Sequence, residues 1–279
     1  MDKSQQINSI HPDFGKEYLY KKDDLSGKIA ILIKNRQPFV LFSGGKDSLS
    51  ALVYVKKIAE RAGKEVVAIH ADTTVGLPCN IKYVKKICRL LKVKLVVVRP
   101  KIDYFTLAER WGLPRFQARW CCHALKIGPV NDYLKNQQQN KIVFDGIRAE
   151  ESKKRMEMEF IEYNKKLGYL TCHPLLYWTS EDVKMYLEKS GMPINPAYKQ
   201  GFKRASECWC GVFKAPSEFE LLLTYYPTMF NRLLELEAKQ KSNFAYIYSH
   251  GKKIYLRDIK KNILNGTKNK SYSNKDFVI

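Results

Sequence analysis

The sequence predicts an α/β fold, a doubly wound parallel sheet followed by a helical C-terminal region. Three observations carry this expectation. Short apolar runs alternate with amphipathic helical stretches from about residue 26 to residue 145, the β-α-β rhythm of a parallel sheet with helices on its faces. The first apolar run passes into a helix through a glycine turn, Ser43-Gly44-Gly45-Lys46-Asp47-Ser48, and such folds bind ligands at the carboxyl ends of their strands. Beyond residue 215 the strand pattern stops, and residues 216–240 read as one or two amphipathic helices.

The elements follow in order. Residues 1–22 are polar with scattered aromatics and read as an irregular extension. Ser26–Arg36 has helical spacing (Ile29, Leu32, Ile33), with Asp24 or Ser26 as cap. Phe39–Phe42 is an unbroken apolar run, as a strand covered on both faces requires. The helix that begins around Leu49 runs to about Arg61, and Gly63 ends it. Glu65–His70 is the second strand, followed by Ala71-Asp72-Thr73-Thr74. Pro78 opens a helix to about Leu91, and Lys94–Val98 is the third strand. Asp103–Gly112 reads as a short helix, Gly128–Leu134 as a helical segment, and Lys141–Asp145 as a further strand ending in Gly146-Ile147-Arg148. Thr179-x-x-Asp182 has the form of a capping box for a helix over Val183–Lys189, which Gly191–Pro196 breaks. From Lys252 the tail is basic and asparagine-rich, with a short helix and a loose end.

Composition narrows the class. The 279 residues are 45% hydrophobic, enough for a sizeable core in one large domain or two small ones. There is no stretch of 18 apolar residues and no apolar signal region behind Met1, so a cytoplasmic protein with no membrane partner is expected. The net charge of +21 favours polyanions or acidic substrates, and it fits equally a surface of solvated lysines. Seven cysteines, an odd number without a signal peptide, argue against a secreted disulfide framework.

The glycine turn is the strongest chemical signal. A strand-to-helix turn aims backbone N–H groups at an anion, and the helix dipole adds attraction. Gly44 and Gly45 permit close approach of a phosphate. Lys46 supplies a mobile charge, Ser43 and Ser48 supply hydroxyls, and Asp47 is suited to orient the loop or to help hold a metal such as Mg2+. The second signal is Cys121-Cys122 with Cys208-Trp209-Cys210, with 85 residues between the two groups. Four thiolates suit an iron–sulfur cluster or tetrahedral zinc, and the tight Cys-x-Cys spacing suits a cluster better than a zinc knuckle. Arg148 and Arg155 offer planar forks of donors that fit oxyanions. His70 reads as a packed strand residue.

These stretches together resemble one family. Ser43–Ser48 resembles the PP-loop of N-type ATP pyrophosphatases and their relatives. Trp120-Cys121-Cys122-His123-Ala124-Leu125-Lys126-Ile127-Gly128-Pro129 is similar to the Cys-Cys-x-x-x-Lys-x-x-Pro segment of cluster-bearing adenylylsulfate (APS) and archaeal phosphoadenylylsulfate (PAPS) reductases. Asp145-Gly146-Ile147-Arg148, with Glu151-Ser152 and Arg155, resembles a further element of that family, as does Pro174–Val183. The resemblance spans about residues 28–214, between an N-terminal extension (1–27) and a C-terminal helical region (215–279). It implies a PP-loop α/β fold of the adenine nucleotide α-hydrolase type. It implies a [4Fe-4S] cluster on Cys121, Cys122, Cys208 and Cys210, although the usual second pair is Cys-x₂-Cys. It implies an APS, PAPS or ATP site built from residues 43–48, Asp72, Thr73, Gly146, Arg148 and Arg155, with Lys46, Lys126 and Arg148 acting in catalysis.

Two departures divide the expected activities. Thioredoxin-dependent members carry a Glu-Cys-Gly-[Ile/Leu]-His element whose thiolate attacks the sulfonyl sulfur, and this sequence has no cysteine after Cys210. Cys79, behind Pro78 at a helix N-terminus that lowers thiol pKa, is the substitute nucleophile. The loop is complete, as in enzymes that split ATP into AMP and pyrophosphate. The leading expectation is reduction of APS or PAPS to sulfite with a thioredoxin-like reductant. The second is ATP-dependent sulfur insertion into tRNA or DNA, and a third is a non-catalytic nucleotide- and cluster-binding subunit.

Overall fold

The computed structural model describes residues 25–165, 167–204, 207–212, 214–240, 247–249 and 252–265. The expected N-terminal extension up to residue 24 and the loose basic tail beyond residue 265 lie outside the described residues. Helix α1 (Leu25–Ile33) leads into β1 (Gln37–Leu41), and the glycine turn then opens α2 (Lys46–Arg61). Strand β2 (Val67–Ala71), α3 (Pro78–Leu90), β3 (Lys94–Val98) and α4 (Tyr104–Trp111) follow close to the positions the sequence indicates. A short helix α5 (Trp120–Cys122), a π turn (His123–Ile127) and α6 (Gly128–Lys135) then run on from one another into β4 (Lys141–Phe144), and the single turn α7 (Lys153–Met156) follows.

The sheet has six strands in the order β3-β2-β1-β4-β6-β5. It is parallel except for β5 (Ile161–Asn164), which pairs antiparallel with β6 (Tyr169–Cys172) at one edge. The sequence pattern assigns neither strand of this hairpin. Alternating side chains sort the two faces, as the two-residue period of a strand requires. Val40, Ala68, Ile142 and Phe144 pack under α1, α2, α3 and α8 (Ser180–Ser190). Phe39, Ile69, Val143 and Tyr169 face Val130 and Leu134 of α6 on the other side. The Thr179 hydroxyl accepts the Asp182 N–H at 3.1 Å, and Asp182 accepts the Thr179 N–H at 2.8 Å, closing the capping box at the start of α8.

From β1 the chain steps outward to β2 and β3, then crosses back to place β4 on the other side of β1. The carboxyl ends of β1 and β4 therefore flank the crevice where such sheets hold ligands. After α9 (Pro196–Lys199), α10 (Pro216–Tyr225) and α11 (Pro227–Lys239) are split at Pro227, whose ring cannot continue a helix. A hairpin, β7 (Ile247–Ser249) and β8 (Lys252–Ile254), precedes α12 (Leu256–Leu264). These C-terminal elements share one core with the cysteine segments: Phe219, Phe230 and Leu256 pack in the same cluster as Tyr104, Cys121 and Trp209. Among the described residues no helix is long and apolar enough to cross a membrane.

Candidate functional site

The glycine turn is held from behind by two buried asparagines. The Asn80 side chain donates to Ser43 O at 3.0 Å, and Asn195 donates to Gly44 O at 3.2 Å and to Asn80 Oδ1 at 2.8 Å. Gly44 has φ +91°, and a β-carbon there would lie 2.3 Å from Asn80 Oδ1, so both its conformation and its contact require glycine. The Ser43 and Ser48 hydroxyls are hydrogen-bonded at 3.0 Å. No side chain caps α2, so its first-turn N–H groups are not taken by a cap. One of them, on Lys46, donates to the Tyr198 hydroxyl at 3.2 Å, and the Lys46 ammonium lies 4.4 Å from the Tyr198 ring centroid.

Strand β4 delivers its turn against this loop. A β-carbon on Gly146 would lie 2.8 Å from Asp47 C and Ser48 N, so glycine lets the two turns touch backbone to backbone. Arg148 is buried and faces protein groups: its Nε donates to Asp47 at 2.6 Å and its Nη1 to Glu150. Arg155 lines the open side and pairs with Glu151. Burial lowers its pKa, against the opposing charges of Asp145 and Asp47. Asp145 accepts from Ile147 N at 3.0 Å and is joined to buried His173 Nδ1 at 2.8 Å.

Together these turns enclose a cleft of about 420 Å³. Ser43, Gly45, Asp47, Ser48, Asp145, Gly146 and Arg155 form one side of it. Leu41, Ile69, Ala71 and Val130 form an apolar side, and Lys126, Ile127 and Glu207 also line the cleft. The arrangement accepts a molecule with a flat apolar part and an anionic part, in the size range of ligand pockets. Asp72 and Thr73 line a second cavity of about 280 Å³ with Arg99 and the start of α3, and Glu207 lines both spaces. Asp72 there accepts from Arg99 Nε at 2.8 Å, while the Thr73 hydroxyl donates to Glu207 O.

The four expected cysteine ligands converge beside Lys126 and Glu207. Cys122 is hydrogen-bonded to Cys121, Cys121 to Cys210, and Cys210 to Cys208. Contact with Cys121 lowers the Cys122 pKa, and contact with Cys122 raises that of Cys121. Contact with Cys121 raises Cys210 to about 12, and contact with Cys210 raises Cys208. Crowded thiols resist joint ionisation unless a cation takes them, which is the behaviour of a soft metal-binding set. Among the described residues no three His, Cys, Asp or Glu side chains are spaced around a point where an ion would sit, the sulfurs lying against one another instead. Trp209 N donates to Val75 O at 2.8 Å, pinning the second pair to the turn after β2.

Lys126, on the π turn, pairs with Glu207, and the charge of Glu207 raises its pKa. The pair ties the cleft to the residue next to Cys208. Cys79 lines neither cavity, and its thiol is hydrogen-bonded with the Tyr226 hydroxyl. Sequence reasoning missed Asn80, Asn195, Tyr198, Glu207 and His173. Asn80 had a signal: it stands three, four and seven residues before Tyr83, Val84 and Ile87, a polar residue on the apolar stripe of α3. Asn195, between Ile194 and Pro196, read as part of a turn and carried none.

Comparison with known proteins agrees with this fold. An adenosine 5'-phosphosulfate reductase of Halalkalibacterium halodurans is 28% identical over 116 residues, 41% of this chain and 49% of that protein. An uncharacterized protein of Methanocaldococcus jannaschii is 29% identical over 199 residues, 70% of this chain and 46% of that one. The chain thus spans about half the length of the curated relatives it matches. The crystal structure of phosphoadenylyl-sulfate reductase from Candida auris, a phosphate complex, has the same fold, with a TM-score of 0.51 at 19% identity over 73% of this chain and 94% of that one. The phosphoadenosine phosphosulfate reductase domain matches residues 37–210, which take in the glycine turn, both arginines and all four clustered cysteines, and the chain belongs to that family.

Proposed function

We propose that the 420 Å³ cleft binds APS or PAPS and that the chain reduces it to sulfite beside a [4Fe-4S] cluster held by Cys121, Cys122, Cys208 and Cys210. The observation that carries this reading is the Lys126–Glu207 pair, which lines the cleft on one side and adjoins Cys208 on the other. The apolar side takes the adenine, and the residue 43–48 turn and Arg155 take the anionic groups. Lys126 stands where charge builds on the sulfonyl oxygens, the placement electrostatic catalysis requires. Arg148 acts as a positioning residue by fixing Asp47. Cys121, Cys122, Cys208 and Cys210 would hold the cluster, which would supply a charged, redox-capable centre.

Electron balance asks for a dithiol. One thiolate bonds to the sulfonyl sulfur as the bond to the nucleotide phosphate oxygen breaks. The second thiol then displaces sulfite and leaves a disulfide. Cys79 does not line the cleft, so both thiols are assigned to a thioredoxin-like reductant.

The complete turn at 43–48, backed by Asn80 and Asn195, favours a second reading: cleavage of ATP, with a divalent cation such as Mg2+, to AMP and pyrophosphate for sulfur insertion into tRNA or DNA. Anaerobically purified protein offered ATP, APS and PAPS in parallel with a dithiol separates the two. Sulfite from APS or PAPS supports the first. AMP and pyrophosphate from ATP, without sulfite from the others, replaces it with the second.

A further inference from the structure

Just ahead of the first cysteine pair the chain displays aromatic rings to solvent. Trp111 and Phe116 are each 59% exposed, far outside the core. A tight turn presents Phe116 and Gln117: Arg115 N donates to Ala118 O at 3.3 Å and Ala118 N to Arg115 O at 3.0 Å. The Arg119 guanidinium stands 5.3 Å from the Phe116 ring centroid. Behind them, Trp120 anchors the platform. It meets Trp111 edge-on at 5.4 Å, stacks on buried Tyr104 at 5.8 Å and donates from its indole N–H to Gly112 O at 3.1 Å.

The charge pattern is one-sided. Between Tyr104 and Ile127 the sequence has a single acidic residue, Glu109, against Arg110, Arg115, Arg119 and Lys126. Glu109 is engaged by Lys239 at 2.7 Å. Aromatic rings and arginines also mark protein-binding patches, and it is the excess of positive charge in this stretch that favours a polyanion. Here exposed rings alternate with exposed arginines, the arrangement that stacks successive bases while cations follow the phosphates.

We propose that Arg110–Trp120 is a docking surface for single-stranded nucleic acid. Trp120 begins the run that carries Lys126 and Ile127 to the cleft, so a strand on this platform lies one short helical run from the nucleotide site. The inference does not rest on the reductase reading, and it goes beyond it.

The test is fluorescence anisotropy of the full chain with short labelled oligouridylate and oligothymidylate over a series of salt concentrations. Trp111→Ala and Phe116→Ala should each weaken binding by about fivefold to a hundredfold, while Trp111→Phe, which keeps an aromatic face, retains most of the affinity. Arg115→Ala with Arg119→Ala should lower the slope of log K against log salt by about 1.4. Lys85→Ala with Lys86→Ala, on the exposed side of α3, should leave the dependence on the rings in place. Should Trp111→Ala lower the melting temperature, Phe116→Ala, at the turn tip, decides the matter. The proposal is overturned if neither oligonucleotide binds, if both ring variants bind like the wild type, or if polyglutamate competes as well as unlabelled oligonucleotide.

Discussion

Replacing Gly146 with alanine tests the seam between the two turns that form the cleft. The added β-carbon would stand 2.8 Å from Asp47 C and Ser48 N and 3.0 Å from Asp47 O. Carbon contacts are comfortable at about 3.5–4.0 Å, so the gap must widen by roughly 0.7 Å or more. The neighbours are backbone atoms of the first turn of α2, with no flexible side chain able to swing aside. Overpacking of this kind costs about 1–3 kcal/mol, a melting temperature lower by several degrees in a chain of this size. Displacement of a binding loop by a fraction of an ångström to an ångström costs up to about 10²-fold in rate. Thermal melting, turnover and calorimetric titration with APS, PAPS and ATP measure these effects. Gly45→Ala is the contrast: its β-carbon meets nothing closer than 3.5 Å and its φ is −81°, so the fold should hold while the methyl group enters the cleft and weakens nucleotide binding. Wild-type stability and affinity in Gly146→Ala would refute the argument that these turns must touch.

Other expectations follow from the same geometry. Lys126→Met should cut kcat about 10²–10³-fold with little change in nucleotide affinity, as loss of a transition-state donor does; a matching rise in KM alone would remove Lys126 from the chemistry. Cys121→Ser and Cys208→Ser should each abolish iron uptake and blue-region absorbance on anaerobic reconstitution, read as iron per chain, and full loading in both would dismiss the cluster. Burial lowers the His173 pKa, but its hydrogen bond to Asp145 and the charges of Asp145 and Glu162 outweigh it and raise the value. A raised histidine stabilises the fold below its unfolded pKa of about 6.5, and that contribution is lost as pH rises through the folded value. Melting temperature should therefore fall from about pH 6.5 upward in the wild type and be flatter in His173→Gln, and parallel curves would contradict the pairing.

The parallel half of the sheet was legible because its strands are apolar runs separated by amphipathic helices, and Lys94–Val98 falls where the residue types place it. The β5–β6 hairpin was not. Ile161-Glu162-Tyr163-Asn164 is a half-exposed edge strand with a charge in it, and neither its length nor its period separates it from a loop. The hairpin of β7 and β8, three residues a strand, hides for the same reason. Contiguous motifs announced the glycine turn. What braces it did not show, because Asn195 reaches Gly44 across 151 positions and Arg148 reaches Asp47 across 101. An arginine at the end of a strand reads as an anion ligand from residue type alone. Only the fold shows that the guanidinium of Arg148 is already engaged by Asp47 and Glu150.

The segment that carries Cys208 is laced to the end of β2 by Thr73 on Glu207 and by Trp209 on Val75, and Glu207 borders both cavities. Half of the sulfur set is thus mounted on the wall of the 420 Å³ cleft. A ligand that draws the four sulfurs apart must move that wall, and a nucleotide that presses on the wall must move two sulfurs. Linkage makes the exchange symmetric in free energy. Whatever factor the nucleotide contributes to occupancy of the cysteine group, occupancy of that group returns to the nucleotide, and the sign of that single number would tell whether the protein is built to hold both at once or one at a time.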